Sequence, residues 1–155
     1  TIVGEYWKEA YAQEVKTRIQ ELGLAEIVRI MPMQGRSEMV ELYHQTDICL
    51  FMSHHQTGFS RVPLEAMATG WLLLTYGKEG SDEILRDGEN GFLIPEGNIL
   101  ATAERISTLL AEPGTVAHIL HQARANIENG YSMVSYTSKI EAFLEKVFQS
   151  EADKN

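Results

Sequence analysis

Cysteine is nearly absent, Cys49 being the only one in 155 residues. No internal disulfide can form, and no Cys/His spacing for zinc exists. Cys49 lies in an apolar run and reads as a small buried hydrophobe. A reducing, cytoplasmic setting is expected. Cations are also scarce: 13 Lys and Arg stand against 22 Asp and Glu, a formal net charge of −9. No basic stripe is available to release counterions, which argues against nonspecific nucleic-acid binding. An anionic ligand would need local help from helix N-termini and a few placed cations. No apolar run approaches the ~20 residues that cross a bilayer. No basic stretch followed by an apolar one opens the chain, so no signal peptide is visible. Internal repeats, low-complexity tracts and linkers are missing too.

What is present is an ordinary apolar fraction, 44%, in a length that suits one domain with a real core. Thr1-Ile2-Val3-Gly4 reads as a short strand ending in a glycine turn. Trp7 to Leu22 predicts a helix with Trp7, Tyr11, Val15, Ile19 and Leu22 inward and Gly23 just past its end. Ile27 to Met31 predicts a second strand. Ser37 to Tyr43 predicts a short helix, with Ser37 as N-cap and Met39, Leu42 and Tyr43 inward. Ile48–Met52 and Trp71–Thr75 are continuous apolar runs, suited to strands buried on both faces. Gly91–Ile94 is a shorter run after the turn Asp87-Gly88-Glu89-Asn90. After Pro95 the pattern is helical, with breaks at Pro113-Gly114 and Asn129-Gly130. Strands alternating with helices predict an α/β fold. The sheet should be doubly wound, Rossmann-like and mainly parallel, with helices on both faces and a helical C-terminus. Residues 1–150 are expected to form the domain and 151–155 a frayed tail. The chain opens inside a strand and without Met, so a piece of something longer is expected.

The stretch from Ser53 to Gly70 reads as a strand end, a glycine turn and a short helix. In an α/β protein such a turn aims free N–H groups beyond the sheet edge, where phosphate-bearing ligands bind. Gly58 permits close backbone approach, Ser60 can cap the helix, and Pro63 is tolerated in a first turn. A plain βα turn has the same look. Glu65 follows Arg61 by one helical turn. The two can form a weak surface ion pair, or Glu65 can accept from paired hydroxyls such as those of a ribose. His54 and His55 have no carboxylate at a telling spacing and read as loop residues. Met31-Pro32-Met33 follows a strand and can pack a flat ring, though Met there is more often core. Lys78 and Arg86 read as solvated. The turn from Thr75 to Glu83 also follows a strand and can reach the same crevice. A receiver domain needs a phosphoacceptor Asp at a strand's C-terminal end, and Asp47 stands at a strand's beginning.

The order of these pieces resembles the nucleotide-sugar-binding C-terminal domain of group 1 retaining glycosyltransferases of the GT-B fold. The resemblance rests on Ile2-Val3-Gly4, Val28–Met31, Asp47-Ile48, Ser53, Gly58-Phe59-Ser60 and Leu64-Glu65-Ala66-Met67-Ala68-Thr69-Gly70. It continues through Glu83–Pro95 to Tyr131-Ser132-Met133, nearly end to end. It implies transfer of a sugar from a nucleotide-diphosphate sugar to an acceptor hydroxyl, with retention. Glu65 would meet the nucleotide ribose. Gly58, Phe59, Ser60 and Arg61 would offer backbone N–H groups to phosphate or sugar, and Met31, Pro32 and Met33 would flank the base. No cofactor or metal is implied.

The sequence departs from the family at three places. Thr57 stands where the family has a sugar-holding glutamate, and Ser60 where it has a glycine. The family's basic pair precedes Thr1. No catalytic residue is therefore assigned, and these residues alone are expected to be inactive. The acceptor glycan, free or lipid-linked, would be held by a further domain, with peripheral membrane association of the whole protein. A central strand missing beside Ile48–Met52 is expected to leave a gap in the sheet or to be replaced by self-association. The alternative reading is a non-catalytic nucleotide-sugar-binding or assembly module of the same fold.

Overall fold

The computed structural model describes residues 1–5, 8–54 and 58–152. The expectations placed on Trp7, His55 and Thr57 lie outside them. The chain divides into two compact units, Thr1–His44 and Gln45–Asn155.

In the first unit, β1 (Ile2–Val3) pairs in parallel with β2 (Ile30–Met31), in the register Ile2↔Ile30 and Val3↔Met31. Between them runs α1 (Glu9–Glu21), and α2 (Arg36–His44) follows. α1 closes as the sequence suggests, with Gly23 N–H donating to Gln20 O and Leu24 N–H to Ile19 O, both at 2.9 Å. Its inward face differs from the expected one. Ala12 is buried and Val15 and Ile19 are half-buried, while Tyr11 and Leu22 are exposed. β2 starts later than expected, and Ile27 is exposed. α2 begins one residue before Ser37. That hydroxyl therefore lies inside the first turn, 3.0 Å from Glu38 Oε2, rather than at the cap. Tyr43 is buried, with Met39 and Leu42 half-buried, as the pattern predicts.

In the second unit, β3 (Ile48–Phe51), β4 (Leu72–Thr75) and β5 (Phe92–Leu93) form a parallel sheet in that order. The register runs from Ile48↔Leu72 to Phe51↔Thr75, then Leu74↔Phe92 and Thr75↔Leu93. β4 is the centre and is buried throughout. Its side chains alternate between two cores, as strand geometry requires. Leu73 packs among Ala66, Met67, Ile84, Ala123 and Ile127. Leu72 and Leu74 pack among Phe92, Ile94, Leu109 and Ile119. Besides Phe92 and Ile94, which come from β5 and just beyond it, those residues are supplied by the helices α3 (Val62–Thr69), α4 (Ser81–Ile84), α5 (Ile99–Ala111) and α6 (Pro113–Gly130). Fully burying one such leucine contributes ~1.5–3 kcal/mol, so β4 anchors the unit. The two breaks read at Pro113-Gly114 and Asn129-Gly130 are the two ends of α6. α4 has no counterpart in the sequence reading. α7 (Met133–Ala152) packs on α6 and extends into the stretch expected to fray. Its Tyr136, Ile140, Phe143 and Val147, at helical spacing, are exposed. Among the described residues β3 pairs on one side only, and its Leu50 is 51% exposed. No described helix is long and apolar enough to cross a membrane.

Candidate functional site

Because β3, β4 and β5 are parallel, the loops that follow them leave from one edge. The loop after β3 leads into α3. Arg61 is the residue before that helix, with φ −80° and ψ −19° and no side-chain cap. The cap comes from one residue further back: Ser60 Oγ accepts the Val62 N–H at 3.4 Å, a long bond. Pro63 sits in the first turn, where its missing N–H leaves no bond unmade, and its ring is buried. Glu65 occupies the same turn with its side chain exposed, and the positive end of the helix favours a carboxylate there. α3 ends at Gly70, whose N–H returns to Ala66 O.

The loop before α3 is held to the loop after β4. Ser60 N–H donates to Glu79 O at 2.9 Å. The Phe59 ring lies against Gly80, so close that a Cβ on Gly80 would stand 2.2 Å from Phe59 Cδ2. Glu79 itself has φ +53°, a conformation that costs a non-glycine residue about 1–2 kcal/mol. A buried chain of hydroxyls supports this turn. Ser81 Oγ donates to Lys78 O at 2.6 Å, which leaves Thr75 Oγ1 to donate to Ser81 Oγ at 3.0 Å. Thr75 Oγ1 in turn accepts the Gly77 N–H at 3.2 Å. Every member is satisfied, as a buried polar group must be. One expectation needs correcting here. Ser60 N–H is taken by Glu79, so within this loop it is not a free donor to a ligand.

A second cluster joins all three loops. His54 Nδ1 lies 2.9 Å from Glu96 Oε1, and Lys78 Nζ lies 3.3 Å from Glu96 Oε2. The His54 ring packs beside Tyr76, with centroids 5.2 Å apart at 52°. The hydrogen bond from His54, then that from Lys78, holds the Glu96 carboxyl below its ordinary range. Sequence reasoning missed this cluster. Glu96 is 42 residues from His54, and only the shared strand edge joins them. Lys78, read as solvated, is an ion-pair partner.

Met31, Pro32 and Met33 belong to the first unit. Met31 is the last residue of β2 and half-buried; Pro32 and Met33 are exposed. A groove of about 480 Å³ in that unit is lined by Gly4, Lys16, Met31 and Pro32, among others. Elsewhere in the second unit, Arg86, Asn90, His118, Gln122 and Asn126 line a polar cleft of about 540 Å³. The Asn90 and Asn126 amides both donate to Ile84 O, so they serve the fold. Among the described residues no group of three or more His, Cys, Asp or Glu is arranged to hold a metal.

The sequence profile of the family described as glycosyl transferases group 1 matches residues 1–133. The chain belongs to this family. Its relatives include the capsular polysaccharide biosynthesis glycosyltransferase CapM of Staphylococcus aureus, 29% identical over 96 residues, covering 62% of this chain and 25% of CapM. A D-inositol 3-phosphate glycosyltransferase of Rhodococcus jostii is 29% identical over 108 residues, covering 70% of this chain and 24% of the relative. The chain thus spans about a quarter of the length of these glycosyltransferases. Among solved structures it resembles Anabaena HepE in complex with UDP, with a TM-score of 0.85 and 26% identity over 93% of this chain and 40% of HepE. The same protein in complex with UDP-glucose matches with a TM-score of 0.84, at 25% identity and the same coverage. The Rossmann-like α/β fold read from the sequence is the fold of this group 1 chain.

Proposed function

We propose that this chain is the donor-binding part of a glycosyltransferase that moves a sugar from a nucleotide-diphosphate sugar to an acceptor hydroxyl with retention. The observation that carries the reading is the position of Glu65. It is an exposed carboxylate in the first turn of α3, past the C-terminal edge of β3. The fold around it matches HepE, which is known with UDP and UDP-glucose bound. In this reading Glu65 accepts from both ribose hydroxyls, since a carboxylate offers two oxygens. Gly58, Phe59 and Arg61 face the diphosphate with backbone N–H groups. Backbone amides together with the family's basic pair would meet the charge developing on the leaving diphosphate, and with those donors in place the reaction calls for no metal or cofactor. The acceptor is a glycan or lipid-linked glycan, in keeping with the capsular role named for CapM. The single buried cysteine fits a cytoplasmic site of action.

The test is titration of the full natural protein with UDP-, GDP- and ADP-sugars, followed by calorimetry and amide NMR. One donor class should bind and shift the amides between Gly58 and Glu65. Glu65→Ala should weaken that donor about 10- to 100-fold, the value of hydrogen bonds to a charged group. No response to any donor would reject the reading. A second reading is favoured by Thr57, a neutral residue at the position of a family glutamate. It keeps donor binding without turnover, and would show as normal titration with no transfer.

A further inference from the structure

Glu96 is a carboxylate that ties together the ends of three strands. Its two oxygens take His54, three residues past β3, and Lys78, three residues past β4, while Glu96 itself follows β5. As a stability device the cluster is weak. The side chains are 62%, 33% and 45% exposed for His54, Lys78 and Glu96, and exposed pairs contribute little. What it supplies is orientation. The His54 ring is fixed by Glu96 at Nδ1 and by Tyr76 at 5.2 Å. An ionised carboxylate only accepts, so Nδ1 must carry a proton. In the neutral ring that leaves Nε2 with a lone pair. The hydrogen bond at one ring nitrogen sets what the other can offer a partner.

We propose that His54 Nε2 accepts a hydrogen bond from a hydroxyl of the donor's sugar, and that Glu96 is the positioning residue that sets its tautomer. The assignment rests on the donor-binding reading above. It draws on placement. His54 leaves the same strand as the loop to α3, and Lys78 adjoins Glu79, whose carbonyl holds Ser60. Through Lys78 and Glu79 the cluster therefore adjoins the loop that leads into α3. Lys78 balances the Glu96 charge, so that the ring is oriented without a bare carboxylate facing an anionic donor.

The experiment compares nucleotide with nucleotide-sugar in the full natural protein. UDP and UDP-glucose, or the matching pair of whichever donor class binds, are titrated by calorimetry. His54→Ala should weaken the nucleotide-sugar about three- to tenfold, the range of one neutral hydrogen bond, with the nucleotide alone changed less than twofold. Glu96→Ala should produce a smaller loss of the same selectivity, and His54→Gln, which keeps an acceptor, should recover part of it. Long-range ¹⁵N correlations of the ring should show the Nδ1–H tautomer in the natural protein and a shift toward Nε2–H in Glu96→Ala. Equal losses for both ligands, no loss in either variant, or an Nε2–H ring in the natural protein would overturn the assignment while leaving donor binding intact. Failure of every donor to bind the natural protein would instead reject the donor-binding reading, and this assignment with it.

Discussion

At the scale of single residues, the clearest physical contrast is between Cys49 and Glu96. Burial pushes the Cys49 thiol up to about 12. The thiolate is the reactive form, so the folded protein should be inert at neutral pH. A thiol reagent such as Ellman's should release colour slowly from the native chain and one equivalent at once after urea. Fast release from the native chain would show that Cys49 is not held in the core. The sign follows from the raised value. Folding favours the neutral thiol, so this contribution is complete below the unfolded thiol's pKa and declines as pH rises past it. Glu96 has the opposite sign. Its carboxyl is held low, by His54 first, so its contacts persist above the ordinary carboxyl range and fail as pH falls through the folded value. The first-turn placement of Glu65, the burial of Cys49 and the place of Pro63 were legible in the sequence, because each depends on neighbours in the chain. His54 with Glu96 was not, because that pair exists only once three strand ends are side by side.

At the scale of elements, continuous apolar runs located the two longest strands, but only one of them is buried as expected: Leu50 of β3 is 51% exposed, where its run predicted burial on both faces, because β3 lacks a covering on that side among the described residues. Leu72 to Thr75 is buried on both faces, as such a run predicts. α1 shows where the signal misleads. Large apolar residues such as Tyr11 and Leu22 suggested its inner face, yet the stripe centres on Ala12, whose small side chain permits close approach. α4 is too short, at four residues, to show any period. The entry to β5 carries a stronger constraint than its sequence suggests. A Cβ on Gly91 would lie 2.9 Å from Leu73 O and 2.7 Å from Leu85 Cδ1. The first is backbone of the central strand and cannot swing away. Gly91→Ala should therefore destabilise the fold by about 1–3 kcal/mol, the usual cost of overpacking. Gly114→Ala, with open space around it, serves as the control. Urea denaturation of both checks the claim; equal midpoints would contradict it.

At the scale of the molecule, the alternation of strands and helices revealed the fold class, while the division into two units after His44 left no mark. The residues between Tyr43 and Asp47 include no glycine or proline. Among the described residues one side of β3 is unpaired, which has a consequence for these residues made alone. An unpaired strand edge with an exposed leucine is a template for strand addition. These residues, made alone, should self-associate as concentration rises, and Leu50→Lys should suppress it. Light scattering over a dilution series would decide, and a monomer at all concentrations would count against the edge as a liability.

The bond from Ser60 N–H to Glu79 O, with Phe59 lying on Gly80, also limits how such a chain can change over generations. A residue inserted in either loop breaks a register that the other depends on. The two loops, separate in sequence, should therefore vary in length together or not at all.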